Sequence, residues 1–336
     1  MDFELSDDQV ALRAVAHDLL AGRATSTHVR RVVDEGSGWD RSLWSEMVTQ
    51  GWPGIAVGED AGGVGLGWVE AAVLCEAVGA RVAPAPIISQ IIALEALAGS
   101  GAEVDGNESA GLIDGSRIAA VSADLSRPVP FAPSADVIVA IVDGAVVAFA
   151  GSHPRSEPAM DRTRELGWVN VPEKFRRLTI PVERFLDCGA VGYAAELLGG
   201  CQAMLDTSVA YAKDRVQFDR PIGSFQAVKH RLADMLVDVE AMRSIVYWAA
   251  WCLSANDDES NIAASSAKAW CVDASKRVMS SALQIHGGIG FTWESDVHLY
   301  LKRAQLSQIE FGDAVFHRSR VAGELRSRME SGVSVI

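Results

Sequence analysis

Two stretches of this chain bring together residue types suited to holding an anionic, partly flat ligand. The first is Tyr211-Ala212-Lys213-Asp214-Arg215-Val216-Gln217-Phe218-Asp219-Arg220-Pro221-Ile222-Gly223-Ser224-Phe225-Gln226, which reads as a helix end, a loop turned by Pro221 and Gly223, and a new helix from near Ser224. Arg215 offers a planar fork of donors to phosphate oxygens, and Phe218 offers an apolar face to a flat ring. A plainer reading stays open, in which the basic residues only complement the dipole at a helix C-terminus. The second stretch is Gln284-Ile285-His286-Gly287-Gly288-Ile289-Gly290-Phe291-Thr292-Trp293-Glu294. One glycine is enough to cap a helix; three within four positions leave bare backbone for a ligand or a subunit to approach. Other catalytic signatures are missing, with no H-E-x-x-H, G-x-S-x-G, P-loop or G-x-G-x-x-G after a strand. The histidines at 17, 28, 153, 230, 286, 298 and 317 show no metal-ligand spacing, so no metal is expected, and His230 reads as structural.

The elements around these stretches fall into three parts, as 336 residues exceed the ~250–300 at which a single core stops growing. Residues 1–112 read as a helical domain. Ser6 and Gln9 have capping-box spacing ahead of a stripe at Leu12, Val15, Ala16 and Leu19. A glycine-rich break over 51–65 precedes helical patterning at 67–80 and 87–99, which Pro84 and Pro86 separate. Residues 113–187 read as a small β domain, in which 137–142 and 145–149 flank Asp143-Gly144 as a hairpin. Residues 188–336 return to helix, over 190–214, 226–253, 260–285 and 313–330, and suggest a four-helix bundle. In the second of these, Val228, Leu232, Met235, Val239, Met242, Val246 and Ala249 step by four and three along one face.

Thirty basic against 44 acidic residues give a net charge of −14, which disfavours a nucleic-acid partner. The five cysteines are odd in number and widely spaced, against a disulfide framework and for a reducing compartment. Met1-Asp2-Phe3-Glu4 has no signal-peptide character and no run is long enough to span a membrane, so a cytoplasmic protein is expected.

Arg-Val-Gln-Phe-x-Arg-Pro-Ile-Gly-x-Phe-Gln-Ala and Gln-Ile-His-Gly-Gly-Ile-Gly-Phe-Thr-Trp-Glu, in this order and separation, closely resemble the acyl-CoA dehydrogenase family. The loop Gly51-Trp52-Pro53-Gly54-Ile55-Ala56-Val57-Gly58 is similar to an early loop of that family, with Gly58 where proline is usual. The resemblance implies a mainly helical fold: a helical N-terminal domain, a β-barrel-like middle domain and a C-terminal four-helix bundle, assembled as tetramers. It implies FAD as cofactor, α,β-dehydrogenation of an acyl-CoA thioester, and an electron-transfer flavoprotein as acceptor. It places Arg215 at the FAD pyrophosphate, Phe218, Phe225 and Gln226 beside it, and Gln284, Ile285, His286, Gly287 and Gly288 against the ADP half of an FAD on another subunit.

The family's flavin-holding loop and strand have no counterpart in Ala120–Pro130. The base position is held by Phe311, with Glu310 one residue early; on a helix or turn that rotates a side chain by roughly 100°, directing Glu310 elsewhere. A second base position used in the family aligns with Gly189, followed by Ala190 where arginine is common, while Asp313 and Val315 replace two flavin contacts. The pattern resembles the short partner subunit of α2β2 bacterial acyl-CoA dehydrogenases linked to sterol side-chain degradation, completing the FAD site of a longer subunit. Two alternatives stand beside it: a self-sufficient homotetramer with Glu310 as base, and a scaffold or acyl-CoA-binding protein without redox activity.

Overall fold

The computed structural model describes residues 4–98 and 108–332; the chain start at Met1–Phe3 and the last position of the helix expected over 87–99 lie outside them. Ser6 caps α1 (Asp7–Arg23) as its spacing predicts: its hydroxyl accepts the Gln9 N–H at 3.3 Å, and the Gln9 side chain accepts the Ser6 N–H at 3.0 Å. Ala16 and Leu20 are buried, whereas Val15 of the expected stripe stays half exposed. Thr25 and Asp40 cap α2 (Ser26–Glu35) and α3 (Arg41–Thr49). α4 (Trp68–Ala80) and α5 (Ile87–Leu97) are apolar on nearly every side and lie inside the core.

α4 lies on the long helix α7 (Val182–Asp214) with backbone against backbone. A Cβ on Gly79 would meet the Glu196 carbonyl oxygen at 2.0 Å, and one on Gly199 would meet the Glu76 carbonyl oxygen at 1.8 Å. Glycine on both helices therefore sets how closely the N-terminal part seats on the bundle. α7 begins at Val182, directly after Pro181, and not near 190. Glu183 and Arg184 mask its first turns in the sequence, although Phe185 is fully buried.

The short helix α6 (Glu108–Ile113) leads into β1 (Ala119–Ser122), β2 (Val129–Pro130), β3 (Val137–Val142), β4 (Ala145–Ala150), β5 (Leu166–Gly167) and β6 (Arg176–Arg177). The main sheet has the order β1-β3-β4-β6, with β1 parallel to β3 and the other pairs antiparallel. The β3–β4 hairpin turns at Asp143 and Gly144, both at positive φ, as expected for this dipeptide. One face of the sheet (Val137, Val139, Val146) joins the main core, and the other (Ile138, Val147, Phe149) forms a smaller one with Val129 and Val169. Burial on both faces explains why these strands read as unbroken apolar runs.

Beyond α7, the small strands β7 (Val216–Gln217) and β8 (Arg220–Pro221) form a ribbon, followed by α8 (Gln226–Ala255), α9 (Ser260–His286), α10 (Val297–Ser307) and α11 (Ala314–Glu330). The α8 stripe is buried from Met235 to Ala249 and partly buried at Val228 and Leu232. α10 corrects the four-segment reading, since no helix is expected between 285 and 313. Its buried face carries His298, Arg303 and Ser307, so it lacks an apolar stripe. All five cysteines are buried and free, and no helix among the described residues is long and apolar enough to cross a membrane.

Candidate functional site

The two motif stretches meet on one surface. Arg215 caps the C-terminus of α7, and Phe218 and Asp219 turn the β7–β8 ribbon, both at positive φ. Phe218 stands 86% exposed, its ring edge-on to Phe225 at 6.1 Å, while the Arg220 guanidinium lies over Phe225 at 4.1 Å. One turn before Arg215, Tyr211 stacks on His286 at 4.5 Å, which joins the end of α7 to the end of α9. His286 Nδ1 donates to the Ala282 carbonyl oxygen at 2.8 Å, so the ring is an anchor. Ile285 and His286 are buried, and of the nine expected contacts these two can offer a ligand only backbone.

The remaining seven sit where a ligand can reach them. Arg215, Phe218, Gln226, Gln284, Gly287 and Gly288 are exposed, and Phe225 partly so. The Arg215 side chain has no hydrogen bond or ion pair among the described residues. Nothing lies within 4 Å of a Cβ built on Gly287 or Gly288. An unpaired guanidinium, an exposed ring and bare backbone form a surface that fits the pyrophosphate and adenosine part of a dinucleotide.

A second feature lies at the other end of α7. A cavity of about 470 Å³ opens between the 122–128 turn, the start of α7 and the 309–316 turn. Its apolar walls are Ile141, Val182, Leu186, Phe311 and Phe316, and its charged groups are Asp124, Arg127, Glu310 and Asp313. Three of these four are carboxyls, and Arg127, the one cationic donor, lies beside Asp124, so the lining has few free side-chain donors for the largely acceptor edge of a flavin ring. Asp313 is engaged as the cap of α11, accepting the Phe316 N–H at 2.9 Å, and Asp124 lies 3.5 Å from Arg127.

Glu310 is not turned away, as the one-residue shift suggests; it lines the cavity. Burial pushes its carboxyl up to about 7, against the pull of Arg164, Lys268 and Arg127. Phe311 is the buried neighbour. Its ring fills the notch over Gly189, where an added Cβ would meet it at 2.0 Å, between Phe185 at 5.2 Å and Tyr193 at 5.9 Å. Phe311 sits at φ +54 and its carbonyl accepts from His317 Nε2 at 2.8 Å; Gly312 follows at φ +99.

Beneath the cavity runs a buried charge network that the motifs do not announce. Glu196 of α7 pairs with Arg164, and with Arg303 of α10 at 2.8 Å, and accepts from Ser307 Oγ at 2.5 Å. Arg303 Nε lies 2.9 Å from Asp161, and the buried Lys268 Nζ donates to the Ser307 carbonyl oxygen at 2.5 Å. The one signal in the sequence is a lone acid inside the apolar run Tyr193–Gly200. Burial alone would raise the Glu196 carboxyl, but Arg164 and Arg303 outweigh it and hold it at about 2.

Acid sensitivity follows. A carboxyl depressed on folding stabilises fully above its unfolded value of ~4.5, and that contribution is lost as pH falls toward 2. His317, which burial and then Lys268 hold down at about 3, adds a loss that starts below ~6.5. Glu310 and Asp187, raised by burial to about 7 and about 6, act in the opposite sense only until both states are protonated. Melting temperature is therefore expected to fall steeply below about pH 4.5. Thermal melts from pH 7 to 3 check this, and a flat profile would contradict it.

Residues 6–104 match the family model described as the acyl-CoA dehydrogenase N-terminal domain, and residues 180–325 match that for the C-terminal domain. The chain is similar to the acyl-CoA dehydrogenase IpdE2 of Mycolicibacterium smegmatis, with 34% identity over 301 residues, 89% of this chain and 93% of that protein. Among solved structures it is similar to a chain of the ChsE4–ChsE5 complex from Mycobacterium tuberculosis, with a TM-score of 0.87, 27% identity, and coverage of 97% of this chain and 99% of that one. Butyryl-CoA dehydrogenase from Megasphaera elsdenii shares the fold, with a TM-score of 0.84, 23% identity, and coverage of 97% of this chain and 100% of that one.

Proposed function

The chain belongs to the acyl-CoA dehydrogenase family of FAD-dependent oxidoreductases, and from that premise we propose that it is the short, non-catalytic subunit of a two-chain acyl-CoA dehydrogenase. One observation carries this reading: the Phe311 ring occupies the space over Gly189, so both positions at which the family places its base are taken up by an apolar contact. A base needs a carboxylate beside the proton it removes, and neither position supplies one. The Arg215–Phe218 ribbon and the Gly287-Gly288 backbone, by contrast, are open to a neighbour. In this reading they hold the pyrophosphate and ADP half of an FAD whose ring and base belong to a longer subunit.

An FAD held there by Arg215, Phe218 and the Gly287-Gly288 backbone would supply the electron acceptor for dehydrogenation of an acyl-CoA thioester, with an electron-transfer flavoprotein as the onward acceptor. This chain's own residues bind and orient its phosphates. The similarity to a chain of the ChsE4–ChsE5 complex, and to a chain of the Tcur3481–Tcur3483 steroid enzyme, supports a place among two-chain acyl-CoA dehydrogenases; in this reading the substrate is a steroid or fatty acyl-CoA.

Flavin content tests the reading. Purified alone, the chain is expected to be colourless; co-expressed with a longer family member encoded beside it, it is expected in a yellow mixed tetramer. A yellow homotetramer overturns the proposal, and a chain that is colourless in every combination points to a scaffold.

A second reading, a homotetramer using Glu310 as base, is favoured by the placement of Glu310 on the cavity wall with its carboxyl raised to about 7. The two readings differ in a measurable way. With Glu310 outside the chemistry, Glu310→Gln in the mixed complex is expected to lower turnover by less than about tenfold, under ~1.4 kcal/mol in barrier. Loss of a general base costs ~10²–10⁴-fold. A thousandfold fall with FAD still bound would make Glu310 the base.

A further inference from the structure

We infer that the cavity beside Glu310 is a ligand site of this subunit in its own right, taking a compact hydrophobe that carries a hydroxyl group. The inference rests on the reading that this chain holds no flavin ring of its own.

The cavity has the make-up of a small-molecule pocket: about 470 Å³, mostly apolar, with few polar groups. Of its four charged side chains, Arg127 and Asp124 lie 3.5 Å apart and Asp313 is spent on the helix cap. The Glu310 carboxyl alone has no hydrogen bond or ion pair among the described residues. It is therefore the group left to recognise a ligand.

Charge narrows the class. Three carboxyls against one arginine on the lining disfavour an anion such as a carboxylate or a phosphate. A cation is disfavoured by Arg164, Lys268 and Arg127, whose charges all act on Glu310, with Glu196 opposing them. A neutral hydroxyl suits both states of the acid, since it donates to the carboxylate and accepts from the protonated form. With its carboxyl raised to about 7, Glu310 populates both forms near neutrality.

The site is also fixed in advance. Lys268 holds the Ser307 carbonyl, His317 holds the Phe311 carbonyl, and Gln308 donates to Ser275 Oγ at 3.0 Å, so the turn bearing Glu310 is pinned on both sides. A group held in place before binding loses little freedom on binding.

The test is calorimetric titration of the flavin-loaded mixed complex with cyclohexylmethanol, its methyl ether and cyclohexanecarboxylate. The alcohol is expected to bind at least about tenfold more tightly than the carboxylate at pH 7.5. Glu310→Leu is expected to weaken the alcohol about tenfold or more, and Glu310→Gln, which can still donate and accept, by under about threefold. The ether accepts only from the protonated acid, so its affinity should fall as pH rises through about 7 while that of the alcohol holds. Equal alcohol binding by wild type and Glu310→Leu, or no alcohol binding, overturns the inference with the colour of the complex unchanged. Yellow colour in the chain alone, lost on adding the alcohol, would instead overturn the functional reading beneath it.

Discussion

A Glu196→Leu chain is expected to be less stable than the wild type by about 3–5 kcal/mol, the usual cost of breaking a buried ion pair from one side. Glu196, Arg164, Arg303 and Asp161 are each no more than 4% exposed. Removing the acid leaves two buried guanidinium groups facing one carboxylate, and strips Ser307 Oγ of its acceptor. The loss should reach beyond one helix. The network ties the 161–164 segment to α7 and α10, and Lys268 reaches the same Ser307 from α9. For a chain of 336 residues the shift in melting temperature is about 4–7 °C.

A paired variant separates charge from packing. Glu196→Leu with Arg164→Leu removes one charge of each sign and leaves Arg303 beside Asp161 at 2.9 Å. It should lose less than the single Glu196→Leu change, because replacing a whole buried pair by apolar groups is often neutral. Urea unfolding of the three proteins at pH 7.5 checks both statements. A single variant within about 1 kcal/mol of wild type would show that water or rearrangement already satisfies the arginines.

The uneven legibility of this chain has physical causes. The β3–β4 hairpin is readable because its strands are unbroken apolar runs on either side of Asp143-Gly144, and the α8 stripe because its buried apolar residues recur at about 3.5. α10 is not, because its buried positions include His298, Arg303 and Ser307, which any polarity pattern assigns to solvent. The β7–β8 ribbon escapes for another reason: its turn residues at positive φ are Phe218 and Asp219, where turn chemistry looks for Asn or Gly. At the site, residue types betray Arg215 and the glycines, but not that Ile285 and His286 face inward. Glu310 shows the limit most clearly. A shift of 100° per residue holds along a helix, yet α10 ends at Ser307, and Phe311 and Gly312 adopt positive φ. Past that point the helical rule has no force, and Glu310 and Phe311 both reach the cavity while dividing its polar and apolar roles.

Arg215→Ala is expected to weaken FAD binding to the mixed complex by about ten- to a hundredfold. The Arg215 side chain is exposed and unpaired among the described residues, so its donors are free for a pyrophosphate. Hydrogen bonds from a charged donor contribute ~1.5–3 kcal/mol, which is that same fold range. The fold has little at stake in the change, since Arg215 caps α7 through its backbone N–H, bonded to the Tyr211 carbonyl at 2.9 Å. Helical content and the melting temperature of the flavin-free complex should therefore match the wild type. Arg215→Lys should recover only part of the affinity, because an ammonium is a point charge and cannot make the forked contact. The FAD bridges two subunits in this reading, so its removal should lower the melting temperature of the wild-type complex, and by less in Arg215→Ala at the same FAD concentration. The measurement is FAD titration of the deflavinated complex, wild type beside both variants. Equal affinities would reduce Arg215 to a cation at a helix C-terminus, where the dipole interaction alone accounts for its charge.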